Sequence, residues 1–138
     1  MAEARLNVDD LQALLDRSPF HRWLGLEAVR ADADGVEIRA PWRDEFLVAR
    51  GSAHGGILAS LVDIAGDYAV AAALGRPVPT IDLRVDYHSA AMPGDLTAHG
   101  KVIRFGSQFS TAEAQIFDAQ GKLLASGRGT YFTAPPKV

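Results

Sequence analysis

The chain contains no cysteine. That absence excludes a disulfide framework and a thiolate nucleophile, and it fits a reducing compartment. Positive charge is also in short supply, with 14 Lys and Arg against 17 Asp and Glu and a net charge of -3. No basic stripe emerges, which argues against nucleic acid as a partner. There is no G-x-S-x-G elbow, no P-loop and no G-x-G-x-x-G, and Gly127-Arg128-Gly129 lacks both a third glycine and a following helix. The four histidines are scattered, giving a metal site no support; His21, His88 and His99 are expected to be ordinary surface or strand residues. Met1 to Val8 has an early acid and no apolar run behind it, unlike a secretory or transit segment, so the expected address is cytoplasmic.

What is present is a chain of 138 residues, 48% hydrophobic and 22% charged, suited to a single domain over 1–138 with a real core. Its longest apolar stretch, Ile57 to Leu74, contains Asp63 and Asp67, which are costly in lipid. A buried core helix is the better expectation, begun at His54-Gly55-Gly56 and closed by Gly75 and Pro77. Upstream, Asp9 to Ser18 predicts a short amphipathic helix with Leu11, Leu14 and Leu15 on one face, Asp9 or Asp10 as cap, and Pro19 ending it. Leu24 to Arg30 and the alternation of Val36, Ile38, Ala40 and Trp42 predict two strands about a turn at Asp32 to Gly35.

Downstream, Ile81, Leu83, Val85 and Tyr87 alternate with Asp82, Arg84, Asp86 and His88, the pattern of a half-buried strand. Pro93-Gly94, Gly106-Ser107 and Ala119 to Gly121 punctuate three further strands. The expected order is helix, hairpin, long buried helix and a four-strand meander. This is an α+β domain in which a curved antiparallel sheet wraps a central helix. The open edges of such a sheet need cover, and edge pairing in a homo-oligomer would supply it.

The chemistry concentrates between Gly51 and Val70. Two consecutive glycines at a helix start leave backbone N–H groups unshielded at the positive end of the helix dipole, a site for a developing oxyanion. Asp63, inside an apolar helix, needs a role or a partner. Asp67 lies one turn on, and two carboxylates that close push one pKa upward. Asp63 stands eight residues beyond Gly55, about 12 Å along a helix. One helix cannot present both to one reacting atom, but two antiparallel copies across a dimer axis can.

The HGG at 54–56, the acid at 63, Tyr87-x(6)-Gly94-Asp95 and Gly121-Lys-Leu-Leu-Ala-Ser-Gly127 together resemble the hotdog-fold thioesterases of the phenylacetate-pathway (PaaI-like) type, whose relatives include 4-hydroxybenzoyl-CoA thioesterases. The resemblance implies hydrolysis of an acyl-CoA or aryl-acyl-CoA without a cofactor, in a tetramer built from hotdog dimers. It implies that the Gly55 N–H polarises the thioester carbonyl, with His54 shaping that end of the site. Asp63 of the facing subunit would act as nucleophile or general base. Thr80 matches a family serine at the start of the next strand and is the candidate for positioning water, while Asp67 stands where other members have Ser or Thr. Gly56, Arg104, Gly106 and Ser107 match positions near the substrate and CoA. Several relatives carry Asn or Gln six residues before the histidine; here that residue is Val48, which has no side-chain hydrogen bond to offer. Two rival readings are a hotdog dehydratase or hydratase and a non-catalytic acyl-CoA binding module.

Overall fold

Residues 6–136 are described by a computed structural model; residues 1–5, which hold the early acid of the N-terminal stretch, and residues 137–138 lie outside it. Helix α1 (Val8–Leu15) opens on Asn7, whose side chain accepts the Asp10 N–H while the Asp10 carboxylate accepts the Asn7 N–H. This reciprocal capping box satisfies two donors that the first turn leaves orphaned. The expected caps, Asp9 and Asp10, are therefore inside the helix. Leu11 and Leu15 bury its inner face.

Pro19 does more than end this helix. It occupies the first turn of a second one, α2 (Pro19–Leu24), where its missing N–H costs nothing. Gly25, at φ 67°, terminates α2, so the first strand begins later than the pattern suggested. Strands β1 (Glu27–Asp32) and β2 (Gly35–Ala40) form the expected hairpin, with Val36, Ile38 and Ala40 all but inaccessible.

Helix α3 (Gly55–Leu74) matches its predicted limits, from the His54 cap to Gly75 in the left-handed region at φ 100°. Its apolar residues on most sides, among them Leu58, Leu61, Val62, Ile64, Ala65, Ala69 and Val70, are buried. The covering layer is one antiparallel sheet that also holds β3 (Thr80–Tyr87), β4 (Leu96–Arg104), β5 (Phe109–Phe117) and β6 (Leu123–Phe132). Contact is close enough at β4 that any Cβ on Gly100 would strike the Ala65 carbonyl. A glycine there lets the helix settle onto the sheet.

The strand order is β1-β2-β4-β5-β6-β3, which corrects the four-strand meander. Only β4, β5 and β6 are joined in that way; β3 pairs with β6 at the far edge. The segment 88–95 between β3 and β4 must pass two strands, about 14 Å at the usual strand spacing, well within the reach of eight residues. Its far end is anchored by Asp95, which accepts from the Arg39 guanidinium and from the Trp42 N–H. As an edge strand, β3 leaves Ile81 and Tyr87 55% and 54% exposed, while Leu83 and Val85 pack on the core.

Candidate active site

Each residue of the HGG sequence has a separate physical task. The His54 backbone is extended (φ -57°, ψ 135°), and its Nδ1 accepts the Gly56 N–H at 2.8 Å. An accepting Nδ1 places the imidazole proton of the neutral ring on Nε2, at the exposed side. Residue 56 must be glycine for this cap, because a Cβ there would sit 2.9 Å from Nδ1. At residue 55 a Cβ would press on the Tyr87 ring at 3.3 Å, and the Tyr87 hydroxyl donates to the Gly55 carbonyl at 2.9 Å. The Ile57 N–H is taken by the His54 carbonyl. Among the described residues, the first-turn donor left without an acceptor is the Gly55 N–H. Gly56, also predicted to meet substrate, has its amide engaged by His54.

An open cavity of about 690 Å³ lies against this turn, lined by Ala53, Gly55, Leu58, Tyr87 and Met92, with Arg50 among its polar groups. Val48 belongs to the loop before it, where its N–H and carbonyl bond to Ser52 and Gly51 and its side chain offers no donor.

The second half of the site lies two turns along α3. Asp63 Oδ1 accepts the Thr80 hydroxyl at 2.7 Å. The alternation in β3 would have turned Thr80 away from the helix. A bulge reverses it: Thr80 pairs with Tyr131 and Asp82 with Thr130, so Ile81 is the extra residue. Thr80 thereby shares the inner face with the fully buried Tyr131. Tyr131 in turn donates to the Asp63 main-chain carbonyl at 3.3 Å, and its hydroxyl fills the gap between Gly66 and Gly129, where a Cβ on either would collide with it. Burial, then the charges of Asp63, Asp67 and Asp82, hold the Tyr131 phenol above its ordinary pKa, so it remains a donor.

Asp67 is one turn further. Its Oδ1 accepts the Val78 N–H at 3.1 Å. Burial pushes its pKa up to about 7; the Val78 bond opposes this and the Asp63 charge adds to it. His21 of α2 is also near. Its ring meets Tyr68 edge-on at 5.6 Å, and burial lowers its pKa while the Leu15 main chain and the Asp63 charge act to raise it.

The structure thus joins Asp63 to Thr80, with Asp67 adjacent, and joins Gly55 to His54 and Gly56. It keeps the two groups about 12 Å apart on one helix. The β4–β5 turn lies beside the end of β6, where the Thr133 hydroxyl donates to the Gly106 carbonyl at 2.6 Å. There the Gly106 N–H donates to Ser110 Oγ, Arg104 leans on the Phe109 carbonyl at 3.4 Å, and Ser107 is exposed. His88 meets Ser126 and His99 meets Glu37. No group of three or more His, Asp or Glu among the described residues is placed to hold a metal ion. Sequence reasoning missed Tyr87, Tyr131 and His21 as neighbours of the site. Gly129, two residues before Tyr131, is the sequence signal of the room that its ring needs; nothing in the sequence brings His21 to Asp63.

The sequence pattern of the thioesterase superfamily matches residues 50–125, the stretch from the loop before HGG to β6. The chain belongs to the thioesterase superfamily. A solved thioesterase-superfamily structure is 50% identical to it, covering 91% of this chain and 96% of its own, with a TM-score of 0.89. The medium/long-chain acyl-CoA thioesterase YigI of Escherichia coli K12 is 29% identical over 131 residues, 82% of this chain and 84% of its own. The E. coli PaaI protein from the phenylacetic acid degradation operon, at 24% identity, shares the fold over 94% of each chain with a TM-score of 0.84. This thioesterase-superfamily chain therefore has the hotdog architecture, with thioester hydrolysis as its class of chemistry.

Proposed function

We propose that the protein hydrolyses an acyl-CoA or aryl-acyl-CoA to the free acid and CoA, at a site made by two subunits. The observation that carries this reading is the division of the site. A carboxylate fixed by Thr80 and a free helix-start amide lie on one helix but too far apart to meet at one carbonyl. An antiparallel copy brings the Gly55 N–H of one protomer to Asp63 of the other. The unpaired outer edge of β3, with Ile81 and Tyr87 exposed, is the surface over which two copies would join into a continuous sheet. Such dimers would pair into a tetramer, in the cytoplasm.

In this mechanism the Gly55 N–H donates to the thioester oxygen and gains strength as that oxygen becomes an oxyanion. Thr80 occupies Asp63 Oδ1, leaving Oδ2 as the reactive oxygen. Oδ2 either attacks the carbonyl carbon or takes a proton from the attacking water. In both cases the C–S bond breaks and the CoA thiolate leaves; in the first, water then hydrolyses the Asp63 acyl anhydride to release the acid and restore the carboxylate. The name of YigI supports acyl-CoA as the substrate class. The cavity beside Gly55 has the apolar wall and open mouth that a pantetheine arm needs.

The test is release of free thiol from a panel of acyl-CoAs. Asp63→Asn keeps the shape of the side chain and is expected to lower turnover by about 10³-fold or more. Full activity in that variant overturns the mechanism. Alkene or hydroxyacyl products without free thiol would identify a dehydratase or hydratase instead, and tight binding without turnover a non-catalytic module.

A further inference from the structure

The polarising amide belongs to the first turn of α3, where two successive glycines leave the backbone freer than side-chain-bearing residues would. Catalysis by a hydrogen-bond donor needs the opposite, a dipole already fixed before charge develops. His54 holds the second amide of the turn, that of Gly56. Something else must hold residue 55.

The geometry points to Tyr87 as a positioning residue for the Gly55 amide in the thioester-hydrolysing site proposed above. Its hydroxyl donates to the Gly55 carbonyl at 2.9 Å, and its ring lies 3.3 Å from the place a Cβ on residue 55 would take. Residue 55 is thus gripped from its carbonyl side and its Cα side, leaving its N–H free toward the cavity. Tyr87 is not free to drift. It closes β3 opposite the buried Ala125 of β6, and the same strand begins with Thr80 on Asp63. One strand therefore holds the donor at its last residue and the carboxylate at its first. The Tyr87-x(6)-Gly94-Asp95 stretch divides its labour: Tyr87 reaches the site, whereas Asp95 ties the end of the following loop to Arg39 and Trp42.

Tyr87→Phe removes the hydroxyl and keeps the ring as a cavity wall. Its expected effect is a fall in kcat of roughly ten-fold with KM changed less than about two-fold, because the bond to Gly55 matters most when the oxyanion forms. Amide hydrogen exchange at Gly56 and Ile57, whose N–H groups are bonded to His54, followed by NMR in the substrate-free protein, is expected to speed up in the variant while the middle of α3 is unchanged. A residue that only packs would move neither quantity. Unchanged exchange at these amides, or unchanged kcat, overturns the assignment. The exchange measurement needs no substrate, so it judges Tyr87 even if the wild-type protein proves inactive on every thioester offered, which would instead refute the proposed reaction.

Discussion

Asp67 shows how one buried carboxyl can tie activity and stability to pH. Its folded pKa, about 7, exceeds its unfolded value near 3.8. The folded state therefore binds a proton that the unfolded state releases as pH rises between those values. The stabilisation from this group is complete below about pH 4 and is lost by the time pH passes 7. Asp67→Asn keeps an oxygen for the Val78 N–H and removes the charge. We expect it to raise stability by about 1–3 kcal/mol at pH 8 and to change it little at pH 4, read from urea unfolding at the two pH values. An equal effect at both would show that ionisation of Asp67 is not what costs stability. The sequence disclosed that two carboxylates share a helix face and that one must shift. It could not say which, because the answer lies in how deeply the fold buries Asp67, enough to outweigh the bond from the Val78 N–H.

At the level of elements, the long helix and the hairpin were legible because their signals are local. HGG and Gly75 mark the ends of α3, and Asp32 to Gly35 turns the chain between β1 and β2. The position of β3 was not legible, since pairing with β6 rather than β4 depends on a loop crossing two strands. Nor was the orientation of Thr80, because a single bulge at Ile81 reverses the alternation from which a face is read. The seat of Tyr131 between helix and sheet makes this packing testable. Gly66→Ala forces a methyl against the Tyr131 hydroxyl and is expected to cost about 2–3 kcal/mol, although alanine is the better helix former. Adding Tyr131→Phe should recover part of that loss in denaturant titrations. If the double variant is no more stable than the single one, the hydroxyl is not the obstacle.

At the scale of the whole molecule, the proposed division into two half-sites gives a test by mixing. Gly55→Pro deletes the free N–H, and the extended His54 backbone suits a residue before proline; because its Cβ would press on the Tyr87 ring at 3.3 Å, circular dichroism must first show that the variant folds. Alone, Gly55→Pro and Asp63→Asn should each be nearly inactive. Under the shared-site reading, refolding them together would give mixed dimers in which one site carries both defects and the other neither. Half of all dimers are mixed, so thiol release should approach about a quarter of the wild-type rate. No recovery on mixing would put donor and carboxylate to work within one chain.

In the proposed dimer β3 anchors both half-sites, so its alignment against a second copy would double as the setting of the active centre. A slip of two residues keeps side chains on their proper faces yet carries the amide about 7 Å past the carboxylate. The enzyme would still be folded and still be dimeric, and it would be idle. Lengthening or shortening that strand is therefore a change that calorimetry would overlook and an activity assay would not.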